Sequence, residues 1–194
     1  MRTHFHTEDR QATIAWAQAL LAQPDVIILD TETTGIGRDD EAVSIGIVDG
    51  SGAVLMDTLL RPRKAISPGA MRVHGIQNRD VDKAPRFAEV YPELAGYVND
   101  RTLVVYNLDF DWRILRYGCS TGKLPLLKPK ASHCAMKQFA QFDGDWDPGN
   151  MSYRWKSLSA ACARFGISSR GAHSAVADCL LTLEVLRHMA TASP

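Results

Sequence analysis

Hydrophobic and polar residues follow periods typical of strands in the first third of the chain. Residues 26–29 are apolar at every position, as expected for a strand buried on both faces. Residues 42–48 and 53–60 predict two further strands. The Asp-Gly and Ser-Gly pairs of residues 49–52 between them are typical of a hairpin turn, so these two strands are expected to pair antiparallel.

Helical periods dominate the rest of the sequence. Residues 8–22 place Ile14, Ala17 and Leu21 at helical spacing before Pro24, which predicts an amphipathic helix packed on the body of the protein. The other predicted segments are helices over 87–98, 108–119, 156–164 and 174–189, strands over 103–106 and 131–136, and a polar turn over 144–151. This interleaving favours one α/β domain with a mixed sheet.

Composition narrows the class of protein but not its partner. Of the 194 residues, 45% are hydrophobic and 23% are charged, which is typical of a globular domain and not of a disordered chain. Basic and acidic residues balance at 22 each, so net charge alone does not indicate a nucleic-acid partner. Bound metal ions can cancel the charge of an acidic site, however, so the balance does not exclude nucleic acid.

Cysteine spacing and the N-terminal residues bear on location. The four cysteines show no Cys-x-x-Cys pairing, so a zinc module is not expected and reduced thiols predict a cytoplasmic protein. Glu8 and Asp9 precede the apolar residues 12–22, which argues against a signal peptide. No stretch reaches membrane-spanning length, and no membrane partner is expected.

The first segment with candidate chemistry is Asp-Thr-Glu-Thr-Thr-Gly at 30–35, where the first buried strand is predicted to end. Because strand side chains alternate between faces, Asp30 and Glu32 are expected to share one face. Two close carboxylates raise one pKa unless a cation binds, and divalent ions prefer such oxygen ligands. Taken alone, an acidic pair in a turn is the simpler interpretation.

The second segment is Asn-Leu-Asp-Phe-Asp at 107–111, where a buried strand passes into a helix. Asp109 and Asp111 are about 200° apart on a helix with 3.6 residues per turn, so only one of them can face a given site. The other is expected to be solvated or to cap the helix. The residues themselves leave the choice open.

The third segment is His-Ser-Ala-Val-Ala-Asp at 173–178, followed by an apolar helix. Ser174 is a candidate N-cap, which leaves His173 in the preceding loop and Asp178 in the first turn. From that loop, His173 can swing over a site at the sheet edge. An isolated histidine beside a helix start more often has a surface or capping role.

Together, the three segments resemble the DEDDh family of 3′-to-5′ exonucleases, which includes polymerase proofreading subunits and RNase T. The similarity covers roughly residues 26–189, and the family's pattern selects Asp111 over Asp109. It implies an RNase H-like mixed sheet of about five strands flanked by helices, here with an extra N-terminal helix. The expected division is an N-terminal helical extension at 1–24 and an exonuclease domain at 25–194.

The resemblance also implies roles for individual residues. Two Mg²⁺ or Mn²⁺ ions are expected as cofactors, with histidine taking the proton of the attacking water. The implied catalytic residues are Asp30, Glu32, Asp111, His173 and Asp178, of which all except His173 are implied metal ligands. The implied pocket for the terminal nucleotide consists of Thr33, Thr34, Gly35, His74, Ile76, Asn107 and Phe110. Core packing is an equally good interpretation for Ile76 and Phe110, and structural hydrogen bonding for His74 and Asn107.

One position departs from the family. Relatives usually carry histidine before the asparagine of the second segment, whereas this chain has Tyr106. Because that position is not an implied metal ligand, catalysis is expected to survive the change. The subfamily stays open.

Two basic segments are candidates for substrate contacts. Lys123, Lys128, Lys130 and Lys137 lie in an acid-free stretch, which suggests a phosphate-binding edge, with a solvated loop as the alternative. The Tyr-Arg-Trp-Lys sequence at 153–156 interleaves aromatic and basic residues as base-stacking surfaces do. Burial of its tryptophan in the core is the slightly favoured alternative.

The sequence therefore predicts a metal-dependent 3′-to-5′ exonuclease that releases nucleoside 5′-monophosphates from DNA, at single-stranded or frayed ends. An RNA-trimming enzyme is the main alternative, because the same chemistry cleaves either backbone. A nucleic-acid-binding scaffold on an inactive nuclease fold is the alternative of another class, and the presence of all five catalytic candidates argues against it. A polymerase or repair complex as protein partner is open but not indicated.

Overall fold

A mixed sheet of five strands forms the centre of the fold. The computed structural model describes residues 2–169 and 173–193. The strands are β1 (Val26–Thr33), β2 (Ala42–Asp49), β3 (Val54–Leu59), β4 (Thr102–Val105) and β5 (Ala131–Cys134). Their order is β3-β2-β1-β4-β5; β1, β2 and β3 pair antiparallel, while β1, β4 and β5 pair parallel. The predicted α/β class and mixed sheet are confirmed.

Helices cover both faces of this sheet. They are α1 (Arg2–Leu21), α2 (Pro68–His74), α3 (Asn78–Val81), α4 (Phe87–Val98), α5 (Leu108–Gly122), α6 (Ala135–Asp143), α7 (Leu158–Arg164) and α8 (Ala175–Thr191). A small hairpin of β6 (Trp146–Asp147) and β7 (Ser152–Tyr153) follows α6. No helix in the described ranges combines the length and apolar character needed to cross a bilayer.

Alternation along β1 divides the core into two layers. Val26 and Ile28 pack in a cluster with α1, α6, α7 and α8, whereas Ile27 and Leu29 pack on the other face with α4 and α5. All four side chains are at most 1% exposed, which explains the uninterrupted apolar run.

The N-terminal helix is part of the first layer. Ile14, Ala17 and Leu20 of α1 are buried in the same cluster as α8, which confirms an amphipathic helix packed on the body. Leu20 is fully buried, and the predicted Leu21 is partly buried against the same cluster. The Arg10 guanidinium lies 3.8 Å from the centre of the Phe142 ring and donates to the Phe142 carbonyl at 2.9 Å.

Several boundaries differ from the prediction. Strand β1 continues through Thr33 because residues 30–33 keep pairing with β2, so the acidic pair lies within the strand and not beyond it. The predicted strand at 131–136 ends at Cys134 because α6 begins at Ala135, and the predicted turn at 144–151 contains part of a hairpin. Long-range pairing, which a local pattern does not contain, decides these boundaries.

The helices α2 and α3 lie between the predicted strand at 53–60 and the predicted helix at 87–98, where no element was predicted. Local signals for α2 are present, since the Ser67 side chain caps the helix by accepting from the Ala70 N–H, and Pro68 occupies its first turn. Gly75 ends the helix in the left-handed conformation at φ 76°.

Candidate active site

Three carboxylates meet where β1 passes the start of α8. Asp30 and Glu32 are two residues apart on β1 and project from the face that α8 covers, and Asp178 lies in the first turn of α8. One oxygen from each of the three lies within 4.8 Å of the others. The alternation of side chains along β1 places Asp30 and Glu32 on one face, and the first turn of α8 adds Asp178. The three carboxylates thus form a compact acidic cluster.

A glycine allows α8 to approach the sheet this closely. Gly46 of β2 pairs with Asp30 in the strand register. A Cβ atom added at Gly46 would lie 2.5 Å from the carbonyl carbon of Ala175 and from the nitrogen of Val176. No other residue fits there without displacing the first turn of α8, which carries Asp178.

Asp111 reaches the cluster from α5, on the other face of the sheet. Its Oδ1 accepts from the backbone N–H of Thr31 at 3.1 Å and from the Thr31 hydroxyl at 2.7 Å. Thr31 points toward α5 because it alternates with Asp30 and Glu32. Asp111 is only 4% exposed, whereas Asp109 is exposed and forms an ion pair with Lys137 at 2.7 Å. The two aspartates are separated as the helical spacing predicted.

One cavity of about 200 Å³ contains the predicted catalytic residues. Its walls include all four carboxylates, His173, and the predicted pocket residues Asn107 and Phe110. Thr31, Val73, Tyr106 and Leu158 complete the walls and had no predicted site role.

Burial and mutual repulsion raise the carboxyl pKa values in this cavity. The pKa of Asp30 lies well above its usual range because of burial first, and then because of Asp111, Asp178 and Glu32. Burial, reinforced by Asp178 and Asp111, raises the pKa of Glu32 to about 7. Burial also raises the pKa of Asp111 to about 7 against the hydrogen bonds from Thr31, and raises that of Asp178. A divalent cation would relieve this cost.

His173 lies outside helix α8, at the cavity rim. It is exposed and has φ 77°, and its backbone N–H donates to Asp178 Oδ1 at 3.3 Å. Ser174 caps the helix by accepting from the Ala177 N–H at 3.3 Å, as predicted. The left-handed backbone at His173 is uncommon for a residue with a side chain.

A second cavity of about 450 Å³ adjoins the first. Four of the predicted pocket residues line it, namely Thr33, Gly35, His74 and Phe110. Glu32 and Phe110 line both cavities, so the second opens beside the carboxylates.

His74 fastens α2 to the end of β1. Its Nδ1 accepts from the Ile76 N–H at 3.1 Å, so Nε2 carries the proton and donates to the Thr33 carbonyl at 3.1 Å. Burial lowers the pKa of His74 and favours this neutral ring. His74 thus has the structural hydrogen bonds considered above and also faces the second cavity.

Two other pocket candidates have mainly structural contacts. Ile76 packs with Val43, Ile66 and Val81 and does not line either cavity within the described chain. Thr34 is 1% exposed and donates to Asp40 Oδ1 at 2.6 Å.

Asp40 was missed by the sequence analysis. Its carboxylate accepts from Thr34 and pairs with Lys64 at 2.6 Å. A Cβ atom on Gly35 would lie 2.8 Å from Asp40 Oδ2, so a larger residue at 35 would disturb this contact. Asp40 therefore fixes the loop that follows the first acidic segment. Only its place in a polar turn signalled it.

The predicted basic edge does not reach the site. Lys130 pairs with Asp25 at 2.9 Å, beside the starts of β1 and β4, which is the end of the sheet opposite Asp30. Lys137 is held by Asp109. Strands β1, β4 and β5 run parallel from the end of the sheet near Lys130 to the end near Asp30. The length of these strands therefore separates most of the basic stretch from the carboxylates.

The slightly favoured interpretation of Trp155 was wrong. Its side chain is 64% exposed and not packed in the core. The neighbouring Arg154 and Lys156 both pair with Asp145, at 3.1 Å and 2.5 Å. Asp145 therefore compensates the positive charges of both side chains.

Tyr106 joins the catalytic cavity to the segment before α7. It is 6% exposed, and its hydroxyl donates to the Lys156 carbonyl at 2.9 Å. Burial raises the pKa of Tyr106, so the phenol stays protonated. The tyrosine thereby holds Leu158, two residues further on, at the cavity wall.

Comparisons with known proteins agree with this geometry. A family model described as an exonuclease, RNase T, matches residues 27–186. The chain is similar to an uncharacterized exonuclease, CP81, of Escherichia phage 186, with 34% identity over 92% of this chain and 95% of the relative. It is also similar to the DNA polymerase III subunit epsilon of Escherichia coli K12, with 31% identity over 82% of this chain and 68% of the subunit.

Solved structures give the same fold. Exonuclease X in complex with 5′-overhanging duplex DNA superimposes with a TM-score of 0.62 at 28% identity, covering 84% of this chain and 90% of that one. Escherichia coli Exonuclease I in complex with a dT13 oligonucleotide gives a TM-score of 0.72 at 16% identity, covering 87% of this chain and 41% of that one. The RNase H-like fold expected from the resemblance is confirmed.

Proposed function

Because this chain belongs to the RNase T exonuclease family and is a 3′-to-5′ exonuclease acting on nucleic acid, we propose that its substrate is the 3′ end of DNA and that Asp30, Glu32, Asp111, Asp178 and His173 carry out catalysis. The observation that carries this proposal is the convergence of all five residues on one cavity. DNA is favoured because the similar polymerase III subunit and the superimposed exonuclease X are, by name, associated with DNA.

The acidic cluster fits two divalent ions, Mg²⁺ or Mn²⁺. Asp30, Glu32 and Asp178 have oxygens within 4.8 Å of one another, and burial, reinforced at Asp30 and Glu32 by the neighbouring carboxylates, raises their pKa values. Asp111 lines the same cavity and would be the fourth ligand. When bound, the ions would supply charge stabilisation for the attacking water and the leaving 3′-oxygen.

The chain's own residues perform the remaining tasks. His173 at the exposed rim would accept the proton of the attacking water, and Asp178, which binds its backbone N–H, restricts where the imidazole can lie. Thr31 keeps Asp111 oriented through two hydrogen bonds. Thr33, Gly35, His74 and Phe110 would enclose the terminal nucleotide in the second cavity.

A product analysis tests the activity and its substrate. We expect 5′-labelled single-stranded DNA to shorten stepwise with Mg²⁺ or Mn²⁺, to release nucleoside 5′-monophosphates, and to remain intact in EDTA. Parallel single-stranded RNA and DNA with a recessed 3′ end rank the substrates. Faster cleavage of RNA would replace the DNA proposal with the RNA-trimming alternative, and internal cuts would contradict the 3′-to-5′ direction.

A histidine pair tests the proposed base. His173→Ala is expected to lower kcat about 10²- to 10⁴-fold while the Mg²⁺-dependent rise in Tm persists. His188→Ala is the matched control, because His188 lies in the last turn of α8 and binds the Glu184 carbonyl. Unchanged kcat in His173→Ala would exclude it as the base.

Two further assignments stay proposals. The division into an extension at 1–24 and an exonuclease domain at 25–194 agrees with a family match that begins at residue 27, although α1 packs in the core. A cytoplasmic location is proposed from the four free cysteines, all of which are buried.

A further inference from the structure

One face of α5 forms a groove beside the proposed site. Residues 109, 112, 113, 116, 117 and 120 recur at helical intervals of three and four, so they share one face, while Asp111, Ile114 and Leu115 are buried on another. Together with Arg38 and Leu126, this face lines a cavity of about 560 Å³, which we name the α5 groove. Its stretch from Trp112 to Ser120 is about 12 Å long at 1.5 Å per residue.

Three arginines of the α5 groove have no ion-pair partner among the described residues. Within the described residues, no carboxylate lies within ion-pair distance of Arg38, Arg113 or Arg116. The one acidic residue in the lining, Asp109, is paired with Lys137 at 2.7 Å. Three unpaired arginines on one surface stand out in a chain whose formal net charge is zero.

The groove lies beside the second cavity. The Arg113 guanidinium lies 5.0 Å from the centre of the Phe110 ring, which lines that cavity. Arg113 also donates to the carbonyls of Gly37 and, at 3.3 Å, of Ile36. Ile36 lines the second cavity and Arg38 lines the groove, so three consecutive residues connect them.

Aromatic side chains alternate with these arginines. Trp112 and Tyr117 line the groove and are partly exposed. Proteins that bind single strands combine basic grooves along the backbone with aromatic rings on which bases stack. A paired duplex would hide its base faces from such rings.

We propose that the α5 groove binds the single-stranded part of the substrate on the 5′ side of the nucleotides held at the site. This inference rests on the proposed function and extends it, because it specifies an unpaired strand that continues from the second cavity across α5. Arg38 and Arg116 contact its phosphates, and Arg113 joins the groove to the nucleotide pocket.

The test compares a long single strand with a dinucleotide that is too short to leave the site. In Arg38→Ala, Arg116→Ala and the double variant, KM for the long strand is expected to rise roughly three- to tenfold, and the salt dependence of binding to weaken by about 0.7 for each lost phosphate contact. The KM for the dinucleotide is expected to stay within about twofold of wild type, since it reaches no arginine of the groove. Arg113 is left intact because it also contacts the pocket loop.

Lys128→Ala is the matched control. Lys128 is exposed, and its carbonyl accepts from the backbone N–H of Asp100, near the start of β4. The substitution therefore removes one positive charge at the end of the sheet opposite the site. It should not change either KM. An equal increase in KM for Lys128→Ala and Arg116→Ala would show a general charge effect and overturn the proposal.

The outcomes separate the two proposals. If wild-type protein cleaves neither DNA substrate, the proposed function fails. If it cleaves both and the arginine variants bind the long strand as wild type does, the groove proposal alone fails. The groove proposal would also be overturned if the arginine variants bound duplex DNA more weakly but single strands as wild type does. The Tm of each variant checks that it is folded.

Discussion

The two ends of the central sheet treat aspartate in opposite ways. At one end, just before β1, Asp25 pairs with Lys130 at 2.9 Å, and this hydrogen bond lowers its pKa. Five residues along the chain, Asp30 is surrounded by other carboxylates, and burial raises its pKa well above the usual range. The same residue type is compensated by a lysine at one end and, among the residues that the structure describes, forms no ion pair at the other.

This difference separates structural charge from functional charge. A surface pair such as Asp25–Lys130 is complete without a ligand and contributes little to stability. The acidic cluster is costly to the metal-free fold, and a cation from outside the chain can remove that cost. An uncompensated cluster in a cavity is therefore the stronger indication of function.

Replacing Asp30 and Asp25 individually by asparagine gives the largest expected difference in turnover. Asp30→Asn should lower exonuclease turnover by about 10³-fold or more, because it removes a proposed metal ligand. Asp25→Asn should keep turnover within about twofold, because its carboxylate binds Lys130 on the surface. Single-turnover cleavage of labelled DNA measures both. Comparable losses in the two variants would contradict the division between the ends.

Gly46 of β2 and Gly50, which directly follows β2, test the geometry of the same two ends. Gly46→Ala should reduce turnover about 10²-fold, because its Cβ would displace the first turn of α8 and move Asp178. It should also lower the free energy of unfolding by about 1–3 kcal/mol.

Gly50→Ala is the control for that change. Its Cβ would meet the Val26 side chain, at 3.8 Å from Cβ and 4.0 Å from Cγ1, which is ordinary contact. Turnover in this variant should equal that of wild type. If Gly46→Ala is equally active, close packing of α8 on β2 is not what places Asp178.

The raised pKa values give the metal-free protein a distinct pH dependence. Glu32 and Asp111 titrate at about 7 when folded, against about 4 when unfolded, so the folded state binds more protons between these values. Their contribution to stability is therefore full below about pH 4 and is lost as the pH rises to about 7.

Thermal melts in EDTA and in Mg²⁺ measure this dependence. In EDTA, Glu32→Gln should melt above wild type at pH 7.5, and the difference should shrink toward pH 5. In wild type at pH 7.5, Mg²⁺ at a hundredfold excess over its Kd should raise Tm by about 5–10 °C. A Glu32→Gln variant that melts below wild type at pH 7.5 would contradict the repulsion on which the comparison depends.

Removing the ion pair between Asp25 and Lys130 should have the smallest effect on stability and on the response to Mg²⁺. Lys130→Ala removes the partner of Asp25 on an exposed surface, so Tm should shift by at most about 3 °C and the response to Mg²⁺ should not change. The same melts measure this. A change in Mg²⁺ affinity would indicate that the two ends are coupled.

Local sequence patterns predicted much of the fold and of the candidate site. The apolar run at 26–29 predicted a strand covered on both faces, and the step of two from Asp30 to Glu32 predicted their common face. The family pattern selected Asp111, which is buried at the site while Asp109 is exposed. The same local patterns misplaced the end of β1 and the tryptophan at 155, because strand pairing and the burial of a side chain depend on residues that are distant in the sequence.

The sequence by itself determined which carboxylates could cluster, because the period of a strand and the cap of a helix are fixed by neighbouring residues. Only the tertiary structure decided how closely they meet, since Gly46 admits α8 to β2 and Thr31 holds Asp111 from the opposite face. It also decided which basic residues are free to bind a substrate: Lys130 and Lys137 are paired, whereas Arg38 and Arg116 in the described chain are not. Charge type is written in the sequence, but compensation depends on which side chains the fold brings within a few ångströms.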